Sequence, residues 1–216
     1  MVSEPKAVAR RRKLRDSLIH AAERTIAKEG LRGLKARDLA TKVGCAVGAI
    51  YNVFADLDDL IFAVNALTLE QLEKTLTVAG AKGADPLADA IRTLTHLALA
   101  YTDYAAANRP RWRALFDHRL AEDQEVPAWY QAQLARLFVY IEEPLRSLAP
   151  SMEPHQRMLL ARSLFSAVHG IVLIGLEEKL QSIPLSVVRE QVTFMVEAFA
   201  KGLAKQRRNE NARPPM

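Results

Sequence analysis

Apolar residues in this chain return at intervals of three and four, and nowhere with the strict alternation of a half-buried strand. Leu14, Leu18, Ala22 and Ile26 step by four before Gly30 interrupts them. Val188, Val192, Met195, Val196, Phe199 and Leu203 repeat the pattern near the other end. That period predicts an all-α fold. Breaks at 80–85, 108–110, 121–127, 148–154 and 181–184, with glycines at 30 and 44, divide the chain into about nine helices. After the first, the expected spans are 36–43, 47–53, one opening behind Asp56, 86–107, 110–119, 127–147, 155–180 and 185–203. Asp56 has the character of an N-cap, with Asp58 and Asp59 in the electropositive first turn. Pro86 suits the first helical position behind an Asp85 cap, and Pro144 kinks or ends its helix.

Charge divides the chain as clearly as the breaks do. Residues 1–55 hold twelve Lys or Arg against five Asp or Glu, whereas residues 56–200 hold thirteen against nineteen. A basic head on an acidic body is the asymmetry expected when only the head meets a polyanion. The expected organisation is a head at 1–56 with a basic arm at 1–13, a regulatory and dimerising body at 57–205, and a frayed basic tail at 206–216. The single cysteine, Cys45, cannot pair within the chain, and no uninterrupted run reaches the ~18 apolar residues of a membrane span. Arg10 to Arg12 lead into an amphipathic pattern, not an apolar one, so no secretory signal is read. A cytoplasmic protein is expected.

Within the basic head lies a nearly neutral stretch, GCAVGAIYNVF, from Gly44 to Phe54. Two short helices joined by three residues have the spacing of a helix-turn-helix, here at about 35–54. Leu39, Val43, Cys45, Ile50 and Val53 fall where those helices bury apolar groups, and Ala40 is small where they cross. Gly44 opens the turn, where a left-handed backbone favours glycine. Neutrality then has a reason, because a recognition helix brings its first residues to base edges in the major groove. Val47, Gly48 and Ala49 are small enough to approach and to touch a thymine methyl; Asn52 offers amide groups and Tyr51 a hydroxyl. Lys35, Arg37 and Lys42, with the arm from Arg10 to Lys13, supply charge for phosphates.

These residues resemble the TetR family of transcriptional regulators. The resemblance covers about 12–65 and rests on Gly30, Leu39-Ala40, Tyr51, Phe54 and Asp58-Asp59-Leu60. Lys35 and Ala46 stand where the family often has hydroxyl caps, and Leu57 where it commonly has lysine. Further on, LFSAVHGIVLIGLE is similar to a C-terminal variant of the family, through Phe165, His169 and Gly170. The resemblance implies a homodimer whose last two helices form a four-helix bundle, and a small-molecule pocket in each body.

The body's residues carry parallel expectations. Between Leu164 and Leu176 the helix is apolar nearly all round, which asks for burial on every side and makes a partner subunit the source of one of them. Leu173, Val188, Val192, Val196 and Phe199 are the expected dimer contacts. Tyr101, Trp112, Phe116, Trp129, Phe165 and His169 are candidate contacts for a small apolar or amphipathic effector, His169 foremost because Gly170 leaves space beside it. His96 and His118 stand without ligand-spaced partners, so no metal is expected. No phosphate loop, nucleophile elbow or acid–base pair is present, which predicts neither cofactor nor catalysis. The expected partners are near-palindromic double-stranded DNA, a second copy of the chain and the effector. The competing reading is a module whose basic head meets an anionic membrane surface or another protein.

Overall fold

The computed structural model describes residues 5–79, 85–122, 124–177 and 183–211. Among these it holds nine α-helices and no strand: α1 (Lys6–Glu29), a 3-10 turn (Leu31–Gly33), α2 (Ala36–Val43), α3 (Val47–Tyr51), α4 (Leu57–Ala79), α5 (Pro86–Ala107), α6 (Arg109–Asp117), α7 (Ala128–Leu148), α8 (Pro154–Gly175) and α9 (Leu185–Asn211). Local chemistry sets several of these boundaries. The Asp59 N–H donates to Asp56 Oδ1 at 2.7 Å while the Ala55 N–H donates to Asp59 Oδ2 at 3.3 Å, a reciprocal cap on α4. Asp85 Oδ1 accepts from the Leu87 and Ala88 N–H groups behind Pro86. Helix α7 continues through Pro144 to Leu148. α9 extends to Asn211, so the expected tail is helical for part of its length, and 212–216 lie outside the described residues. So do parts of three expected breaks, 80–84, 123 and 181–182, and the first four residues of the arm. The helix expected to reach 180 ends earlier, at Gly175, with Leu176 as its cap.

The chain forms two compact units. One joins the residues up to Gln71 with Asn108–Gln131; the other joins Leu72–Ala107 with the residues from Ala132 on. The first unit therefore reaches beyond the helix-turn-helix to take in the first part of α4 and all of α6. Its core is Leu18, Ala22 and Ile26 of α1, Leu39 and Ala40 of α2, Ile50 of α3, Phe54, Leu60 and Val64 of α4, and Ala114 of α6. Leu14, Val43, Cys45 and Val53 pack against it partly buried, which makes Cys45 the core residue expected.

In the second unit α5, α8 and α9 pack together. α9 contributes a ridge of period four: Val188, Val192, Val196, Ala200 and Ala204 are all buried. This corrects the expected dimer stripe. Val192 and Val196 are 0% exposed within the single chain, so a second copy could not reach them. Gly175 explains how closely α9 begins against α8, since a Cβ there would lie 2.8 Å from Val188 Cγ2. Leu173 and Phe199 are half-buried. α8 is long and apolar enough to cross a membrane by length and composition, yet only 28% of its most apolar stretch is buried.

Candidate DNA-binding face and body cluster

The turn between α2 and α3 is built around Gly44, in the left-handed region at φ 74°, ψ 40°. Its N–H donates to the Thr41 carbonyl at 3.2 Å and the Cys45 N–H to the Ala40 carbonyl at 3.0 Å, closing α2 in a Schellman-like cap. Neither Lys35 before α2 nor Ala46 before α3 makes a side-chain cap. α3 turns Ile50 wholly inward and leaves Val47, Gly48, Tyr51 and Asn52 exposed, Tyr51 by 50%, with Ala49 half-buried. Lys35 and Arg37 are exposed beside this neutral face. Lys42 is occupied: its Nζ donates to Thr25 Oγ1 at 2.9 Å, tying α2 to α1.

In the second unit the structure brings three candidate effector residues together. Tyr101 Oη of α5 lies 2.7 Å from His169 Nδ1 of α8. The Phe165 ring stacks on His169 at 5.7 Å and meets Tyr101 edge-on at 5.5 Å. Phe138 of α7 adds an edge contact to Phe165 and carries the Arg162 guanidinium over its face. Burial pushes the His169 imidazole down, favouring its neutral form. Phe138 was not singled out from sequence, because a lone phenylalanine on a helix carries no mark of its neighbours.

Trp112, Phe116 and Trp129 belong to the first unit, Tyr101, Phe165 and His169 to the second. Trp112 is a core side chain packed on Phe116; Phe116 and Trp129 are exposed over rather less than half of their surface. Here the structure adds a polar seam that sequence spacing did not reveal. Arg111 of α6 lies 3.1 Å from Glu23 and donates to Gln71 at 3.4 Å. Asn65 Nδ2 donates to the Ala114 carbonyl at 3.3 Å, and His118 Nε2 pairs with Asp58 Oδ1 at 2.8 Å. Residues 111, 114 and 118 thus meet 71, 65 and 58 in descending order, an antiparallel register. Tyr130 joins through Asn65, its phenol raised to about 12 by burial, with the Asn65 hydrogen bond opposing the shift. Among the described residues no group of three or more His, Cys, Asp or Glu side chains is placed to hold a metal ion.

Residues 18–64 match the family model described as bacterial regulatory proteins, tetR family, and residues 94–199 match tetracyclin repressor-like, C-terminal domain. The chain belongs to the TetR family of transcriptional regulators. The first match contains the helix-turn-helix, and the second spans the Tyr101–His169 cluster. An uncharacterised helix-turn-helix-type transcriptional regulator of Mycobacterium tuberculosis is 28% identical over 203 residues, 93% of this chain and 87% of that protein. A Rhodococcus protein of unknown function superposes with a TM-score of 0.68 at 25% identity, covering 88% of this chain and 95% of the other. A second Rhodococcus structure, titled as a putative TetR-family transcriptional regulator, shares the fold at a TM-score of 0.62 and 19% identity, covering 87% and 99%.

Proposed function

We propose that this TetR-family regulator is a repressor that holds a near-palindromic double-stranded operator as a homodimer. It releases that DNA when a small apolar or amphipathic ligand occupies the body. The observation that carries the DNA reading is the exposed, uncharged face of α3, Val47, Gly48, Tyr51 and Asn52, flanked by Lys35 and Arg37. Small residues admit close approach to base edges, while the flanking cations take phosphates. The effector reading is supported by the hydrogen-bonded Tyr101–His169 pair, set among Phe138 and Phe165. Such a group suits an apolar ligand carrying one hydrogen-bonding function.

Selection from a pool of random duplexes tests the DNA reading. It should return a two-fold related sequence. Tyr51→Ala should weaken binding to all sequences by about 1 kcal/mol, whereas Asn52→Ala should flatten the preference more than the affinity. A pool that shows no enrichment overturns the operator.

A further inference from the structure

The first two turns of α8 bury a charge and leave almost everything else in solvent. Among residues 154–160 only Arg157 is buried, at 8% exposure, while Pro154, His155, Gln156 and Leu159 are exposed. Arg157 heads the inward ridge of the helix, ahead of Ala161, Leu164, Val168 and Val172. Its Nη1 donates to the Met152 carbonyl at 3.2 Å, which folds the guanidinium back to the start of α8. Nε is buried without a hydrogen-bond partner, and Nη2 makes no bond within the described residues. No carboxylate pairs with the group there, although a buried cation ordinarily has one. What is left is the Nε–Nη2 edge, one of the two edges on which a guanidinium holds two oxygens side by side.

We infer that the start of α8 is a binding site for a small carboxylate, held on the Nε–Nη2 edge of Arg157. The helix itself adds to the attraction. Its first intrahelical bond runs from the Arg157 N–H to the Glu153 carbonyl at 3.0 Å, and Glu153 makes no side-chain cap. The N–H groups of His155 and Gln156 therefore precede the ladder at the positive end of the helix dipole, where an anion is favoured. Charge and shape select the class. One guanidinium supplies one positive charge and two parallel donors in a plane, which match a monoanion with two coplanar oxygens; a phosphate dianion would keep one charge uncompensated. The ridge beyond Arg157 is already packed, with Ala161 wholly buried, so only a short acid is accommodated. The site is separate from the Tyr101–His169 pair, since His169 lies about 18 Å further along α8, and it stands whether or not that pair binds an effector.

The test titrates the full chain with sodium butyrate at constant ionic strength, with sodium chloride and inorganic phosphate as the other arms. Butyrate should raise the thermal midpoint as its concentration rises, and the Arg157 Nε–H resonance of isotope-labelled protein should move and saturate. Arg157→Lys keeps the charge but loses the fork, and should weaken butyrate binding by about tenfold or more. A midpoint that ignores butyrate, or answers chloride equally, overturns the site and leaves Arg157 as a brace for the Met152 turn. A stronger response to phosphate overturns the carboxylate class. A response lost in His169→Phe but kept in Arg157→Lys overturns the site by moving the acid to the aromatic cluster. Should Arg157→Lys not fold, the wild-type Nε–H resonance decides alone: saturable movement supports the site, and a resonance that stays in place overturns it.

Discussion

An ideal Cβ added at Gly48 meets no heavy atom within 4 Å, and the backbone there is not in the left-handed region. Glycine inside a helix is less stable than alanine by roughly 0.5 to 1 kcal/mol, so folding alone would favour alanine at this position. On the proposed DNA reading, that space is where a base edge approaches. Gly48→Ala should raise the stability of the head by up to about 1 kcal/mol and weaken duplex binding about tenfold. Chemical denaturation and fluorescence anisotropy check the two halves separately, and unchanged DNA affinity would remove Gly48 from the contact face. His169 tests a different site through pH. Burial lowers its folded pKa below the ordinary 6.5, so on acidification the unfolded chain takes up the proton first. Its contribution is intact above the unfolded value and is lost as pH falls toward the folded one. His169→Phe removes that titration, and its thermal midpoint should fall less than the wild type's between neutral pH and about 5.5. Equal slopes would mean that His169 is not the titrating group.

At the scale of elements, α6 was expected at 110–119 and lies at Arg109–Asp117, but its contacts were not legible in sequence. Its polar seam joins α1 and α4 through Arg111, Ala114 and His118, whose partners are 40 to 88 residues away in the chain. No spacing rule connects His118 with Asp58. The His118 side chain is only 7% exposed and its ring lies edge-on to Phe62 at 5.0 Å. His118→Ala should therefore destabilise the protein by about 1 to 3 kcal/mol, through the lost hydrogen bond and the space left beside Phe62. Denaturant midpoints measure it; a change below about 0.5 kcal/mol would show that the seam does not hold α6. What the sequence did disclose is local. Caps at Asp56 and Asp85, the left-handed Gly44 and the buried Leu39, Ala40 and Ile50 depend on neighbours a few residues away, so their signatures survive in one dimension. Direction of burial does not. The Val188–Val192–Val196 ridge reads identically whether it faces a partner or its own core, and only the packing of α5 and α8 decides between them. The aromatic candidates meet the same limit: Trp112 and His169 look alike in composition, and only the fold assigns them to different units.

Across the whole molecule, turning that ridge inward leaves a different face available. Phe194 is 72% exposed and Ile174 58%, and exposed Leu159, Ser163, Ser166 and Ala167 continue one stripe of α8. Val187, Phe194 and Ala198 form the corresponding stripe of α9. Large apolar side chains beside small ones suit close helix packing, and contiguous exposed patches of this kind commonly mark an interface. A two-fold dimer through this face would present two helix-turn-helix units to a palindromic site. Ile174→Glu with Phe194→Glu places two carboxylates in that interface without touching the protomer core, so the helical content and thermal unfolding of the single chain should persist. Sedimentation at micromolar concentration should change from dimer to monomer. Operator affinity should fall by a factor of about a hundred or more, because the second head no longer binds at high effective concentration. A double variant that remains dimeric would place the interface elsewhere, and a monomeric wild type would remove the two-fold reading of the operator.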